Sequence, residues 1–179
     1  MKHHFEQFAA YNKWANARLY EAALKLDDAS YRKDVGAFFK SMHGTLNHLL
    51  LVDRRWFGRL MGSDDGPQKL NTILYESRTD LAAARAEEDD KIVRTVSSYT
   101  ADDLDKTIAY STTSGKPQVQ KREEILAHVF NHQTHHRGQA HTIISLLTGK
   151  EPPPLDLLLF QRNGPAPDLH QLARTAAVS

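Results

Sequence analysis

The chain has no cysteine among its 179 residues. That excludes disulfides, thiolate metal sites and a cysteine nucleophile. It has no surplus of either charge: 23 Lys and Arg against 22 Asp and Glu give a net charge of +1. The basic excess of a dedicated nucleic-acid binder is therefore missing. No apolar run approaches the ~20 residues of a membrane span, and the opening MKHHFEQFAAYNKW lacks the apolar core of a secretory signal. Together these absences predict a cytoplasmic chain that engages neither nucleic acid nor membrane. There is no internal repeat. With 40% hydrophobic and 25% charged residues, the composition suits one globular domain rather than a disordered chain. What the sequence has in quantity is histidine: ten in all, five of them between His128 and His141.

Hydrophobic periodicity predicts four long helices. The first covers residues 4–26, with Phe5, Phe8, Ala15, Leu19, Ala22, Ala23 and Leu26 on one face and Asn12 near its middle. Tyr11, Trp14 and Arg18 share the opposite face, a pattern suited to a dimer interface. The second is expected over residues 35–61, where an apolar stripe that includes Val35, Phe38 and Phe39 has Asp53 at its centre. The run from Gly62 to Pro67 then breaks it. A third, more polar helix ends near Ser98, and its charge clusters read as a solvated face. Residues 107–112 alternate like a strand, and Ser114-Gly115-Lys116-Pro117 is a turn, so a short β-hairpin is expected before the fourth helix. That helix covers residues 122–148 and stops at Gly149. Pro152-Pro153-Pro154 enforces an extended segment. Leu155 to Phe160 could pack against the helices, again in an extended form. The predicted fold is all-α, a four-helix bundle with a hairpin between helices three and four. The bundle is expected over residues 1–162, and residues 163–179 as a loosely held tail with at most a short helix near Leu169.

The chemistry concentrates on the fourth helix. His132 and His136 are four residues apart, which sets both rings on one helical face about a turn from each other. Ile125, Val129 and Ile143 bracket the same arc, so both rings point inward. That is the spacing by which two ligands on one helix reach a divalent ion, and metal coordination is a reason to accept the desolvation of buried polar rings. A third ligand would come from the second helix. There His43 and His48 flank opposite edges of the apolar stripe, Asp53 is also a candidate, and the helical wheel does not choose among them. Asp53 could instead form a buried ion pair with Arg137 or Arg54, or orient a ligand imidazole. His128, His135 and Gln139 lie to one side of the arc as substrate or relay candidates, and Asn12 could hold a ligand ring or close a buried polar network.

Tyr11-Asn12-Lys13-Trp14-Ala15-Asn16, the segment Leu46-Asn47-His48-Leu49-Leu50 followed by Asp53 and Trp56, and the run from Asn131 to Gln139 containing His135-His136-Arg137-Gly138-Gln139 occur in one order. In this the chain resembles the DinB (damage-inducible, YfiT-like) family over roughly residues 1–160. The resemblance implies an up-down-down-up order of the four helices, homodimerisation, and a three-histidine site whose ligands here would be His48, His132 and His136. Three neutral imidazoles leave coordination positions open, as in catalytic rather than structural zinc. Such an ion lowers the pKa of bound water toward ~7 or holds a thiol as thiolate. Zinc and nickel stand first as the ion, with manganese and iron also suited to imidazole. Two metal-dependent reaction classes follow, hydrolysis and transfer by a bound thiolate; the resemblance favours a transfer that uses a low-molecular-weight thiol, acting on a small-molecule substrate. The alternative is a non-catalytic metal-binding module in stress response or dimerisation.

Overall fold

The computed structural model describes residues 1–63, 69–112, 114–164 and 166–178. It is mostly helical. In chain order the elements are α1 (Lys2–Leu24), α2 (Asp28–Arg32), α3 (Met42–Met61), α4 (Arg78–Ser98), α5 (Ala101–Asp105), β1 (Thr107–Ser111), β2 (Pro117–Lys121), α6 (Arg122–Thr148), α7 (Leu157–Gln161) and α8 (Leu169–Ala176). The two strands pair antiparallel, with Ala109 opposite Val119, as the alternation predicts.

Local chemistry sets the boundaries. The Ser41 hydroxyl accepts from the Gly44 N–H at 3.1 Å and caps α3, and Ser77 caps α4 by accepting from Asp80. Gly62 and Gly149 end α3 and α6 in the left-handed conformation, at φ 73° and 64°, which glycine adopts at little cost. The second long helix thus starts at Met42 and not at Val35. Residues 35–40 form a tight turn in which the Val35 N–H donates to the Lys40 carbonyl. Hydrophobicity carries the stripe back to Val35, but the serine cap decides where the helix begins. Of the predicted break, Gly62 and Ser63 are seen, and residues 64–67 lie outside the described residues.

Each long helix packs on two others: α1 on α4 and α6, α3 on α6 and α4. Named contacts fix their directions. Lys2 reaches the Ser97 carbonyl while Arg78 reaches that of Leu26, so α1 and α4 are antiparallel. The Gln133 amide donates to Leu49 and Trp56 meets His128, so α3 and α6 are antiparallel. Phe8 meets Phe130 and Arg137 meets Asn12, so α1 and α6 are parallel. Asp53 with Arg85 and Arg54 with Glu88 make α3 and α4 parallel.

Two apolar clusters form the interior. One holds Leu19, Tyr20, Leu46, Leu50, Leu81 and Ile143; the other holds Phe5, Phe57, Ile92, Ile125 and Val129. Each long helix carries buried polar residues between these clusters: Asn12 and Asn16 on α1, Asp53 on α3, Arg85, Glu88 and Asp89 on α4, and Gln133 and Arg137 on α6; α3 buries His43, Thr45, Asn47, His48 and Arg59 besides. The charges of α4 are therefore only in part a solvated face: Glu87 and Arg94 are exposed, while Arg85, Glu88 and Asp89 are buried. Arg85, 1% exposed, lies 2.8 Å from Asp53 and 3.0 Å from Asp89.

A third cluster overturns the reading of Tyr11 and Trp14 as an exposed patch. Both are buried beneath Leu155, Leu157, Leu159 and Phe160. The Tyr11 hydroxyl donates to the Leu155 carbonyl at 2.7 Å and the Trp14 indole N–H to Gly164 at 2.8 Å. Arg18 lies over the Trp14 ring and donates to Pro154. The face is covered by the chain's own C-terminal segment, which is helical over α7 rather than extended. Farther on, where a loosely held tail is expected, α8 docks on α4 and α1 with Leu169 and Ala173 buried in the first cluster.

Candidate metal centre

Three histidines from two antiparallel helices converge. One ring nitrogen from each of His48, His132 and His136 lies within 4.8 Å of the others, a group that could hold a metal ion. Ring centroids are 5.2 Å apart for His48 and His132, 4.5 Å for His48 and His136, and 4.3 Å for His132 and His136. His48 is buried, and the other two are partly exposed.

Neighbours orient the rings. His48 Nδ1 lies 2.8 Å from the Leu70 carbonyl. A carbonyl only accepts, so Nδ1 carries the proton and Nε2 presents its lone pair. His136 Nδ1 donates to Gln139 Oε1 at 2.7 Å, and the same amide donates through Nε2 to His135 Nε2 at 3.2 Å. Phe39 stacks on His48 with centroids 3.8 Å apart and planes 20° apart. Asn47 holds the segment that supplies Leu70: its Oδ1 accepts from the N–H groups of Leu74 and Tyr75.

The site favours neutral rings. Burial pushes His48 down to about 4 against the help of the Leu70 hydrogen bond. Burial, and then the neighbouring histidines, push His132 down to about 3. His136 is lowered by burial too, partly offset by Gln139. Metal ligation needs deprotonated imidazole, and these rings are in that form at neutral pH. His48 Nε2 and His132 Nδ1 are buried without a hydrogen-bond partner, an unfavourable state for a polar atom unless something else satisfies it. The donor set fits a divalent ion of borderline character.

The other candidates divide. His43 is buried away from the triad, against Tyr31 at 5.5 Å and Glu76 at 3.5 Å. His128 is exposed, with its ring 5.9 Å from that of His132 and 5.0 Å from Trp56. His135 is exposed and stacks on His136. Asp53 pairs with Arg85, not with Arg54 or Arg137. Asn12 closes the polar network: it donates to Asp89 at 3.3 Å and accepts from Arg137. Sequence reasoning missed Phe39, placed in a helical stripe, and the Leu70 carbonyl, because backbone groups leave no residue-type signal. Asn47 was one readable hint, a polar residue next to His48.

The sequence profile of the DinB family matches residues 1–168. The chain belongs to the DinB family. Protein DinB of Bacillus subtilis (strain 168) is 26% identical to it over 133 residues, covering 72% of this chain and 77% of that one. The matched region of this DinB-family chain contains all three converging histidines and every helix that positions them.

Proposed function

We propose that this DinB-family chain is a metal-dependent protein in which His48, His132 and His136 hold one divalent ion, zinc or nickel first, then manganese or iron. Its activity on this reading is transfer by a low-molecular-weight thiol, or hydrolysis, of a small-molecule substrate. The observation that carries the reading is the convergence of three uncharged imidazoles, with no carboxylate in the group. Three neutral donors leave the ion's charge uncompensated and positions open. When bound, such an ion supplies the Lewis acidity that makes a thiol or a water nucleophilic near neutral pH.

The chain's own residues orient and shield. The Leu70 carbonyl and Gln139 hold the Nδ1 protons of His48 and His136, which keeps Nε2 of each ring available. Phe39 covers one face of the His48 ring and excludes water from it. The helix directions support an up-down-down-up bundle as the frame, with α1 and α6 running one way and α3 and α4 the other. Homodimerisation, which the family resemblance implies, would use a surface other than the covered Tyr11–Trp14 face. A cytoplasmic setting suits the cysteine-free composition.

Elemental analysis of untagged protein tests the assignment. Wild type should carry one equivalent of metal, and His132→Ala should lose it while keeping its helical circular dichroism. A full equivalent in the variant, or none in wild type after reconstitution with zinc, nickel and manganese, refutes it. An ion that admits no exogenous ligand would turn the reading to a non-catalytic module.

A further inference from the structure

We propose that the turn carrying Phe38 and Phe39 is the recognition edge of the triad, and that the small molecule bound there bears a flat apolar group, such as an aryl ring, beside its anionic donor atom. The proposal rests on the metal-site reading and adds to it the class of ligand.

The turn is built, not loose. The Lys40 N–H donates to the Ala37 carbonyl at 2.8 Å, the Val35 N–H donates back to Lys40 at 2.9 Å, and Asp34 accepts from the Gly36 N–H. Lys40 sits at φ 68°, a left-handed conformation that non-glycine residues rarely adopt. Gly44, in the first turn of α3, leaves bare the space that the Phe39 backbone occupies: a Cβ there would collide with the Phe39 carbonyl. These features press Phe39 onto His48 and set its ring centroid 5.5 Å from that of His136.

Phe38 is the residue that folding does not account for. Its ring lies 4.9 Å from that of Phe39, almost perpendicular to it, yet it is 84% exposed. A phenyl group in water adds no burial to the fold, and here it stands one ring away from the putting-together point of three candidate ligands. Rings in fact run in file through the site: Trp56, His128, His132, His48, Phe39 and Phe38 each meet the next within 5.9 Å.

Among the described residues, the charged-group influences on His48, His132 and His136 come from other histidines. Arg59 lies over the rings of both Trp56 and Tyr110, at 4.6 and 4.8 Å, and donates to the Ser111 carbonyl. A ligand is then selected by its donor atom at the ion and by flat apolar contact at the rim.

The test uses the full chain loaded with one equivalent of cobalt(II), with metal content measured on every sample. Benzyl mercaptan and 2-mercaptoethanol are titrated in, and the thiolate-to-cobalt absorption gives each Kd. Wild type should bind benzyl mercaptan about tenfold more tightly. Phe38→Ala should erase most of that preference without changing the Kd for 2-mercaptoethanol or the metal content, and Phe38→Tyr should keep it. Phe38 is exposed, so neither change threatens the fold. Failure to load cobalt overturns the metal reading and this one with it. Full loading with an unchanged thiol preference in Phe38→Ala overturns the recognition edge alone, as does a Phe38→Ala variant whose only change is loss of self-association.

Discussion

Replacing Arg85 with methionine removes the one side chain that bridges Asp53 and Asp89, at 2.8 and 3.0 Å. Both carboxylates are buried, so the variant leaves them without their shared ion pair, Asp89 keeping only the amide donors of Asn12 and Asn16. Breaking a buried pair in this way costs about 3–5 kcal/mol, a large share of the roughly 5–15 kcal/mol that holds a typical domain together. With a urea m-value of about 2 kcal/mol/M, the unfolding midpoint should fall by about 2 M at pH 7.5. The effect should depend on pH. Burial raises Asp89 to about 6 even with Arg85 beside it, and raises Asp53 as well. A carboxylate whose folded pKa lies above its unfolded value binds more protons in the native state, so its contribution is most favourable at low pH and is lost as pH rises through the folded pKa. Wild type should accordingly lose some of this stability between pH 5 and pH 7.5. Without the guanidinium both folded pKa values climb further, so the penalty of the variant should shrink at pH 5. Urea titrations of metal-free protein, followed by tryptophan fluorescence at both pH values, decide the matter. A loss below 1 kcal/mol at pH 7.5, or an equal loss at the two pH values, would refute the argument from buried charge.

Two further outcomes follow from other contacts. Gln139→Ala should weaken metal binding by about 10- to 100-fold, because it frees the His136 Nδ1 proton; competition with a chromogenic chelator measures this, and an unchanged Kd would remove Gln139 from the site. Trp14→Ala should cost about 3–5 kcal/mol and loosen the covering segment, since it deletes the indole bond to Gly164 and the contact with Phe160. Limited proteolysis should then cut between residues 155 and 164 well before it cuts wild type, and equal resistance would contradict the covering role.

The long helices and the hairpin were legible because each rests on local chemistry: a 3.6-residue period, a serine or glycine at a boundary, a Gly-Lys-Pro turn between alternating strands. The His132–His136 pair was legible for the same reason, being a spacing on one helix. What a single helix cannot show is its partner. The wheel leaves His43 and His48 level; the family resemblance favours His48, and the packing of α3 against α6 gives the physical reason, with His43 turned to Tyr31 and Glu76. Arg85 and Asp89 look like solvent-facing charges until Asp53 arrives from another helix. Tyr11 and Trp14 look like an outer face because a one-stripe reading of α1 has no place for a second covering layer, supplied by residues about 140 positions later in the chain. The start of α3 was misread differently: Phe38 and Phe39 satisfy the hydrophobic count while the backbone there follows the cap.

The placement of the triad also constrains when it can exist. Helix α6 brings two imidazoles and α3 brings the third, and α4, the hairpin and their connections are made between them. A nascent chain that has completed α3 and α4 still lacks two of the three donors. Contacts so distant in sequence form late and slowly in folding. On the proposed ligand set, metal capture would therefore be an event of the finished protein, sealing a fold already made rather than nucleating it, and a chain stalled before α6 would hold one of the three candidate ligands.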